Sequence, residues 1–325
     1  MIKKWPGKVQ PLKHVVIFMM LQNKKLKIAG AYILLILTTF FWGITFVVVQ
    51  NAVGQVDVFV FLAQRFIAAS FILLLLWPFL KRPIDGKTLL KGCVLGMMLF
   101  GGFAFQTLAL LYTSASNTAF LTGLNVVFVP ILSAVIFRKA IAAQSLAGAV
   151  LAFIGLYLLC ATGTNWSFNK GDLMGLICSI CIAIHIIYTG KYARECDVYW
   201  LTTIQLSVIG LLSLLIAYFT GHDALAWYPE IRDALIVCVL FATIFAFLVQ
   251  TSMQQFISPP STALIFCLEP VFAAVCAYFL IDENIGATGL IGAGLILLGM
   301  ILSEIKLKKL MGWCLFPQTE HTKSA

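Results

Sequence analysis

Three ionisable side chains lie well inside apolar stretches of the sequence: Arg65, His185 and Glu269. A guanidinium offers a planar fork of N–H donors that fits a carboxylate or a phosphate. A glutamate in such a place can bind a proton or an amine. A charge at the centre of a lipid bilayer costs about 2.5–3.5 kcal/mol on insertion scales. If these stretches cross a membrane, the three side chains should face protein or a wet cavity, where either a ligand or a fixed internal hydrogen bond compensates them.

The segment TALIFCLEPVF, residues 262–272, places a carboxylate and a helix breaker together. Glu269 lies about ten residues into its apolar run, which corresponds to roughly 15 Å of helix. Pro270 follows directly, and it has no N–H to donate to the carbonyl of Phe266. A freed carbonyl beside a carboxylate favours a cation or a proton. We therefore interpret this pair as part of a cavity wall.

The composition predicts that these stretches do cross a membrane. The chain has 325 residues, of which 61% are hydrophobic and only 11% are charged. A soluble domain carries about 25% charged residues. Several apolar runs reach the length of about 18 residues that a helix needs to span the hydrocarbon. They are continuous rather than alternating, which excludes a β-barrel pattern, so the fold class is an all-α polytopic membrane protein.

Apolar runs separated by charged or turn residues predict ten transmembrane helices. They cover approximately residues 30–49, 58–80, 89–111, 116–137, 143–161, 172–190, 199–219, 234–253, 260–281 and 286–304. The connections between them are short.

The basic residues predict the orientation. Nineteen of the 22 Lys and Arg residues fall in the two terminal segments and in the even-numbered loops, whereas only Lys170 and Arg232 fall on the other side. The positive-inside rule then puts both termini in the cytoplasm, namely residues 1–27 as an N-terminal segment and 305–325 as a C-terminal tail. The net charge of +9 is therefore a topology signal, and we expect no nucleic-acid partner.

The chain contains an internal repeat. DVFVFLAQRF at 57 recurs as DVYWLTTIQL at 197, and TAFLTGLNVVF at 118 recurs as TALIFCLEPVF at 262, which are offsets of 140 and 144. Two glycines of the first half map to two of the second at the offset of 144: Gly148 and Gly155 to Gly292 and Gly299. Each unit has five helices, an odd number, so the two copies enter the membrane from opposite sides. Such inverted repeats hold a substrate site near the membrane midplane and support alternating access.

The repeat extends the set of candidate site residues. Asn125 is the mate of Glu269, Gln205 is the mate of Arg65, and Thr45 is the mate of His185. Trp42 lies one turn from Thr45. The predicted substrate-binding set is Arg65, Glu269, Asn125, Trp42, Thr45, His185 and Gln205. We interpret three further polar residues, Gln106, Asn117 and Gln250, as hydrogen-bonding links between helices.

Three segments resemble the EamA branch of the drug/metabolite transporter superfamily: FFWGITF, YTSASNTAFLTGLNVVFVPILSAVIF and LEPVFAAVCAYFLIDE. The resemblance covers about residues 28–304, with the two repeats at 28–162 and 171–304. It implies a ten-helix permease for small metabolites, often an amino-acid exporter, in a bacterial inner membrane. One departure is Ile182, which stands opposite Trp42 where this family often has an aromatic residue.

Three functions follow from these observations. The first is secondary transport of amino acids or related zwitterions, in the direction of export, with Arg65 binding a carboxylate and Glu269 an amine or a proton. The second is export of amphipathic or cationic compounds by proton exchange at Glu269, with Arg65 structural. The third is a membrane scaffold or lipid-handling protein without turnover. Enzyme chemistry has little support, because the glycine-rich GATGLIGAG at 286 follows no strand, and we expect neither a cofactor nor a metal.

Overall fold

The computed structural model of the protein describes residues 24–80, 82–113, 115–138, 140–160, 169–281 and 286–304. In these ranges all regular structure is helical. The predicted C-terminal tail, the loop at 161–168 and most of the N-terminal segment lie outside the described residues; residues 24–27 form the start of the first helix.

Ten helical units follow one another along the described chain. They are α1 (Lys24–Val53), α2 (Val58–Leu80), α3 (Gly86–Ala109), α4 (Ala115–Gly123 and Asn125–Phe137), α5 (Ala143–Cys160), α6 (Lys170–Tyr192), α7 (Val198–Phe219), α8 (Arg232–Val239, Leu240–Phe245 and Ala246–Met253), α9 (Pro259–Phe266 and Leu268–Ile281) and α10 (Gly286–Glu304). Nine of them are long and apolar enough to span a membrane, and α5 is a shorter apolar helix. The predicted all-α, multi-pass fold is confirmed.

Side chains that cap the helices explain where several of them begin. The carboxylate of Asp85 accepts a hydrogen bond from the N–H of Thr88 at the start of α3, and Asp197 does the same for Trp200 at the start of α7. Asn169 and Asp172 form a reciprocal capping box at the start of α6. These caps satisfy N–H groups that have no partner inside their helix. They set the registers from which α3, α6 and α7 run into the apolar layer.

Helices α4 and α9 are each broken in the middle, which the sequence did not predict. The break falls at Leu124 in α4 and at Cys267 in α9, one residue apart in the register of the repeat. Pro270 therefore lies in the first turn of the second half of α9, where a missing N–H costs little. Asn125 and Glu269 lie in the first turns of the two second halves.

Helix α8 is irregular in another way. Its central residues Leu240–Phe245 form a π-helical segment between two α-helical ones. The N–H of Ala246 is directed to the carbonyls of Phe241 and Thr243. It therefore does not occupy the carbonyl of Ala242, as it would in a regular α-helix. Wide turns of this kind occur frequently at functional sites.

Contacts between α5 and α10 show that the two halves are inverted. Gly148 packs against Gly299, and Gly155 packs against Gly292, in each case with the glycine facing the partner's carbonyl oxygen. The contacts pair a later residue of one helix with an earlier residue of the other, so the helices are antiparallel. The repeat exchanges the two contacts, because Gly148 corresponds to Gly292 and Gly155 to Gly299. A two-fold axis that exchanges antiparallel helices lies across them, in the plane of the membrane.

The remaining contacts obey the same two-fold relation. Helix α2 packs against its counterpart α7, and α4 packs against α9. The contact of α3 with α6 is matched by that of α8 with α1. Large apolar side chains such as Phe71, Leu211 and Leu290 are exposed on the outside of this bundle. That surface suits lipid, whereas the polar candidates are turned inward.

Candidate functional site

A cavity lies where α1, α2, α3, α4, α6, α8 and α9 converge. Its volume is about 70 Å³. Six of the seven predicted site residues line it: Trp42, Thr45, Arg65, Asn125, His185 and Glu269. The fold thus brings together side chains from five helices in both repeats.

Arg65 is held in place by the π-helical segment of α8. Its Nε donates to Oγ1 of Thr243 at 2.7 Å, and its Nη2 donates to the carbonyl of Ala242 at 3.2 Å. The guanidinium carbon also lies 5.1 Å from the ring centroids of Phe66 and Phe103. No carboxylate of the described residues lies within ion-pair distance of it. Arg65 is thus a fixed cation on the cavity wall.

Glu269 approaches the cavity where α9 touches α1. A Cβ placed on Gly43 would lie 2.7 Å from the carbonyl oxygen of Glu269, so only a glycine permits this distance between the helices. The Glu269 side chain is half-buried and lines the cavity. Within the described ranges it has neither a hydrogen-bond donor nor a cationic partner. Gly43, the glycine of FFWGITF, therefore allows α9 to lie close enough to α1 for Glu269 to take this position.

Trp42 and Thr45 belong to the part of α1 that lines the cavity together with Arg65 and Glu269. Trp42 Nε1 donates to the carbonyl of Ala242 at 2.9 Å, the same oxygen that Arg65 contacts. Its ring packs edge-on against Phe266, three residues before Glu269. The hydroxyl of Thr45 donates to the carbonyl of Trp42 at 2.9 Å. Trp42 thus shares the Ala242 carbonyl with Arg65 and packs against Phe266, in the same helix as Glu269.

Two amide oxygens at the cavity have no donor. Asn125 Nδ2 donates to the carbonyl of Thr122 at 2.9 Å, but its Oδ1 is buried without a partner, and so is Oε1 of Gln250. Gln250 and its repeat mate Gln106 both line the cavity. The sequence predicted that these two glutamines link helices, and Gln106 does so, because its Nε2 donates to Oγ1 of Thr122 in α4 at 3.4 Å. Their equivalent positions in the repeat, 144 residues apart, were the signal that could have placed them at the site.

Asn117, the third polar residue interpreted as a link between helices, does make one. Its Nδ2 donates to Oδ1 of Asp172 at 2.7 Å and to Oγ1 of Thr113 at 2.9 Å. The first bond connects α4 with the capping box of α6.

Gln205 does not line the cavity but lies behind His185. Its Oε1 is 2.8 Å from Nε2 of His185, and its Nε2 donates to Oγ1 of Thr251 at 3.2 Å. In this arrangement Nε2 of the imidazole carries the hydrogen and Nδ1 is left as an acceptor. Thr189 Oγ1 lies 3.2 Å from the same Nε2. Gln205 therefore orients a cavity residue, and its predicted place in the direct binding set becomes a supporting one.

The cavity is asymmetric with respect to the two-fold axis. It extends to Val49 near the end of α1 and to Leu110 at the end of α3. Their repeat mates Thr189 and Gln254 are both buried, and neither amide atom of Gln254 has a partner. The cavity therefore reaches further toward one end of the pathway between the repeats than toward the equivalent opposite end.

Comparisons with known proteins agree with this architecture. The profile of the EamA-like transporter family matches residues 29–161 and again 169–305. An uncharacterized transporter of Archaeoglobus fulgidus is 33% identical over 276 residues, which cover 84% of this chain and 85% of that protein. The uncharacterized transporter YyaM of Bacillus subtilis is 27% identical over 291 residues, covering 86% of this chain and 95% of that protein.

More distant similarities extend to plants and to a solved structure. A chloroplastic WAT1-related protein of Arabidopsis thaliana is 24% identical over 281 residues, covering 81% of this chain and 66% of that protein. A crystal structure aligns with a TM-score of 0.71 at 16% identity, covering 87% of this chain and 99% of the other, which shows a shared fold. The two family matches, the two inverted halves and the central cavity with its convergent polar groups point to a membrane transporter rather than an enzyme, and the chain belongs to the EamA-like transporter family.

Proposed function

We propose that this chain is a secondary transporter that moves small zwitterionic metabolites, amino acids above all, by alternating access. The observation that carries the proposal is the relation between Arg65 and Glu269. Both line one cavity, their charges are opposite, and neither has a counter-ion among the residues that the structure describes. A zwitterion with its carboxylate at Arg65 and its amine at Glu269 would compensate both.

Both charges are costly to hold in the cavity wall without a counter-ion. Ion pairs with hydrogen bonds reduce that cost. The guanidinium is already supported by Thr243, Ala242 and two aromatic rings. Glu269 lacks comparable support, so a proton or the substrate amine is its natural partner. Protons are therefore proposed as a second cargo.

The other walls suit a small organic molecule. Phe46, Phe103, Phe247 and Phe266 line the cavity together with the amide groups of Gln106, Gln250 and Asn125 and the hydroxyls of Thr45, Thr107 and Thr122. Mostly apolar walls with a few convergent polar groups are typical of sites for small molecules.

Alternating access is supported by the asymmetry of the cavity. Two halves related by a two-fold axis can exchange their packing, so that the end near Thr189 and Gln254 widens as the end near Val49 and Leu110 closes. With the orientation predicted from the basic residues, the end that the cavity reaches faces away from the cytoplasm. Cytoplasmic termini, a bacterial inner membrane and net export remain parts of the proposal.

A second candidate is the export of cationic amphipathic compounds by proton exchange. It is favoured by the hydrogen bonds that tie Arg65 to α8, because a guanidinium fixed in this way could be purely structural. In that case Glu269 alone would alternate between a proton and the cationic substrate. A third candidate, a scaffold or lipid-handling protein, would need neither charge for turnover.

Reconstitution into proteoliposomes tests the three candidates. Vesicles with purified protein are loaded with a mixture of unlabelled amino acids and mixed with labelled amino acids, or with labelled tetraphenylphosphonium as an organic cation. Saturable exchange of amino acids that Arg65→Gln and Glu269→Gln both abolish is the expected result. Exchange of the cation alone, lost in Glu269→Gln but kept in Arg65→Gln, would favour the second candidate. No saturable exchange of either class, above protein-free vesicles, would favour the third.

A further inference from the structure

The π-helical segment Leu240–Phe245 presents two adjacent residues to the guanidinium of Arg65. Thr243 and Ala242 are both fully buried. The hydroxyl oxygen of Thr243 accepts from Nε of Arg65, and the carbonyl of Ala242 accepts from Nη2 of Arg65 and from Nε1 of Trp42. Because Ala246 directs its N–H to other carbonyls, the Ala242 oxygen is free to accept these side chains. The wide turn of α8 thus holds the guanidinium of Arg65 in place.

The two hydrogen bonds to α8 occupy only one edge of the guanidinium. The pair Nε and Nη2 forms the edge that would otherwise bind a carboxylate with two parallel hydrogen bonds. Here both atoms are already bonded to α8. Nη1 has no hydrogen-bond partner within the described part of the chain, and the residue lines the cavity. The two flanking rings, at 5.1 Å from the guanidinium carbon, restrict its rotation.

We infer that Thr243 is the positioning residue of an anion subsite in which Nη1 of Arg65 binds one oxygen of a singly charged carboxylate. The inference rests on the proposed function and deepens it, since it specifies which anion the cavity takes and how. A dicarboxylate or a phosphate carries more negative charge than the single positive charge of the Arg65 guanidinium can compensate. In the part of the cavity wall that the structure describes, Arg65 is the only cation.

The test compares two Thr243 variants with a control elsewhere. Thr243→Val keeps the shape and removes the hydroxyl, whereas Thr243→Ser keeps the hydroxyl. Thr203→Val is the matched control, because Thr203 is equally buried but donates to the carbonyl of Tyr199 in its own helix. Folding of each variant is checked by gel filtration and thermal unfolding in detergent. If Thr243→Val does not fold, Thr243→Ala replaces it as the variant without a hydroxyl.

The first readout does not depend on transport. Phenylglyoxal modifies arginine through its two terminal nitrogens, so an Arg65 released from α8 should react faster. The rate at the Arg65 peptide is followed by mass spectrometry, with sodium acetate, malonate or inorganic phosphate as protecting anions at matched ionic strength. Loss of a hydrogen bond to a charged group changes the population of the released side chain by about ten-fold or more, and the modification rate should rise by the same factor. We expect that increase in Thr243→Val only, and protection by acetate that exceeds protection by malonate or phosphate.

The second readout is amino-acid exchange in proteoliposomes. Thr243→Val should raise the KM by about ten-fold or more with a smaller change in kcat, and Thr243→Ser should restore both. Parental modification rates and KM in Thr243→Val would overturn the positioning role. Better protection by malonate or phosphate would overturn the monocarboxylate assignment. If instead Arg65→Gln exchanges amino acids like the parent, the proposed function itself fails. The phenylglyoxal rates still report whether Thr243 holds Arg65 against α8.

Discussion

Gly155 of α5 and Gly292 of α10 approach each other so closely that neither position has room for a side chain. A Cβ on Gly155 would lie 2.5 Å from the carbonyl oxygen of Gly292, and a Cβ on Gly292 would lie 2.5 Å from the carbonyl oxygen of Gly155. Small residues allow such backbone contacts between membrane helices. Here the contact is one of a two-fold-related pair that joins the repeats.

Gly292→Ala should therefore destabilise the protein. The added methyl group meets backbone atoms of α5, which cannot move aside as a flexible side chain could, and overpacking of this kind costs about 1–3 kcal/mol. Gly294→Ala, two residues along the same helix, is the control because no atom lies within 4 Å of the place that its methyl group would take. Thermal unfolding in detergent should show a lower Tm for the first variant only. Equal Tm values would contradict the close crossing of α5 and α10.

Glu269→Gln should keep the fold and suppress transport. The amide preserves the shape of the side chain but can neither titrate nor carry the charge that we assign to an amine or a proton. The initial exchange rate in proteoliposomes, measured against pH with protein amount and orientation matched, should fall and lose its dependence on pH. Glu230→Gln serves as control, since Glu230 is exposed in the short 3₁₀ helix Pro229–Ile231 before α8. A rate and a pH profile like those of the parent would leave Glu269 with a purely structural role.

Gln205 and His185 should behave as a coupled pair. Gln205→Leu removes the acceptor 2.8 Å from Nε2 of His185 and leaves this buried N–H with only the Thr189 hydroxyl, 3.2 Å away, at a cost of about 1–3 kcal/mol. Adding His185→Leu removes that N–H as well, so the double variant should lose less stability than the sum of the single variants. A double-mutant cycle of unfolding free energies should show coupling of about 0.5–3 kcal/mol. Strict additivity would argue against the bond.

Acid should weaken a contact between the repeats outside the apolar layer. Lys91 at the start of α3 donates a hydrogen bond to the carboxylate of Glu195, in the loop between α6 and α7, and this bond lowers the pKa of Glu195 below its ordinary value of 4.5. A lowered pKa in the folded state adds stability above the pKa of the unfolded state, and that stability is lost as the pH falls through the folded pKa. Because the carboxylate is 43% exposed, the effect should stay below about 1 kcal/mol.

The measurement is the Tm of the parent and of Glu195→Gln across pH. We expect a slightly higher Tm for the parent at pH 7, and we expect the difference to vanish in acid below the lowered pKa and to shrink in high salt. A difference that persists under strongly acidic conditions would show that the ion pair is not its source.

The positions of the helices were largely predictable from the sequence. Hydrocarbon excludes unpaired backbone groups, so a long apolar run has to be a helix, and the predicted span at 58–80 coincides with α2 (Val58–Leu80). The inward turn of Arg65, His185 and Glu269 was predictable for a related reason, since a charge that faces lipid is costly. The constant offset between the halves also paired Asn125 with Glu269 from the sequence alone.

The tertiary structure alone decided how these side chains are supported. Pro270 marked a disturbance of α9 in the sequence, but it did not fix the break at Cys267. The break at Leu124 and the π-helical turn at Leu240–Phe245 lie in apolar runs, where many backbone paths bury the same residues. Gln205 differs from its mate Arg65 in lying behind the cavity wall, because repeat symmetry relates backbones and not the partners that side chains find. The end of the pathway that the cavity reaches also depends on packing between the halves. The two ends are built from equivalent parts of the repeat, so the sequence pattern does not distinguish them.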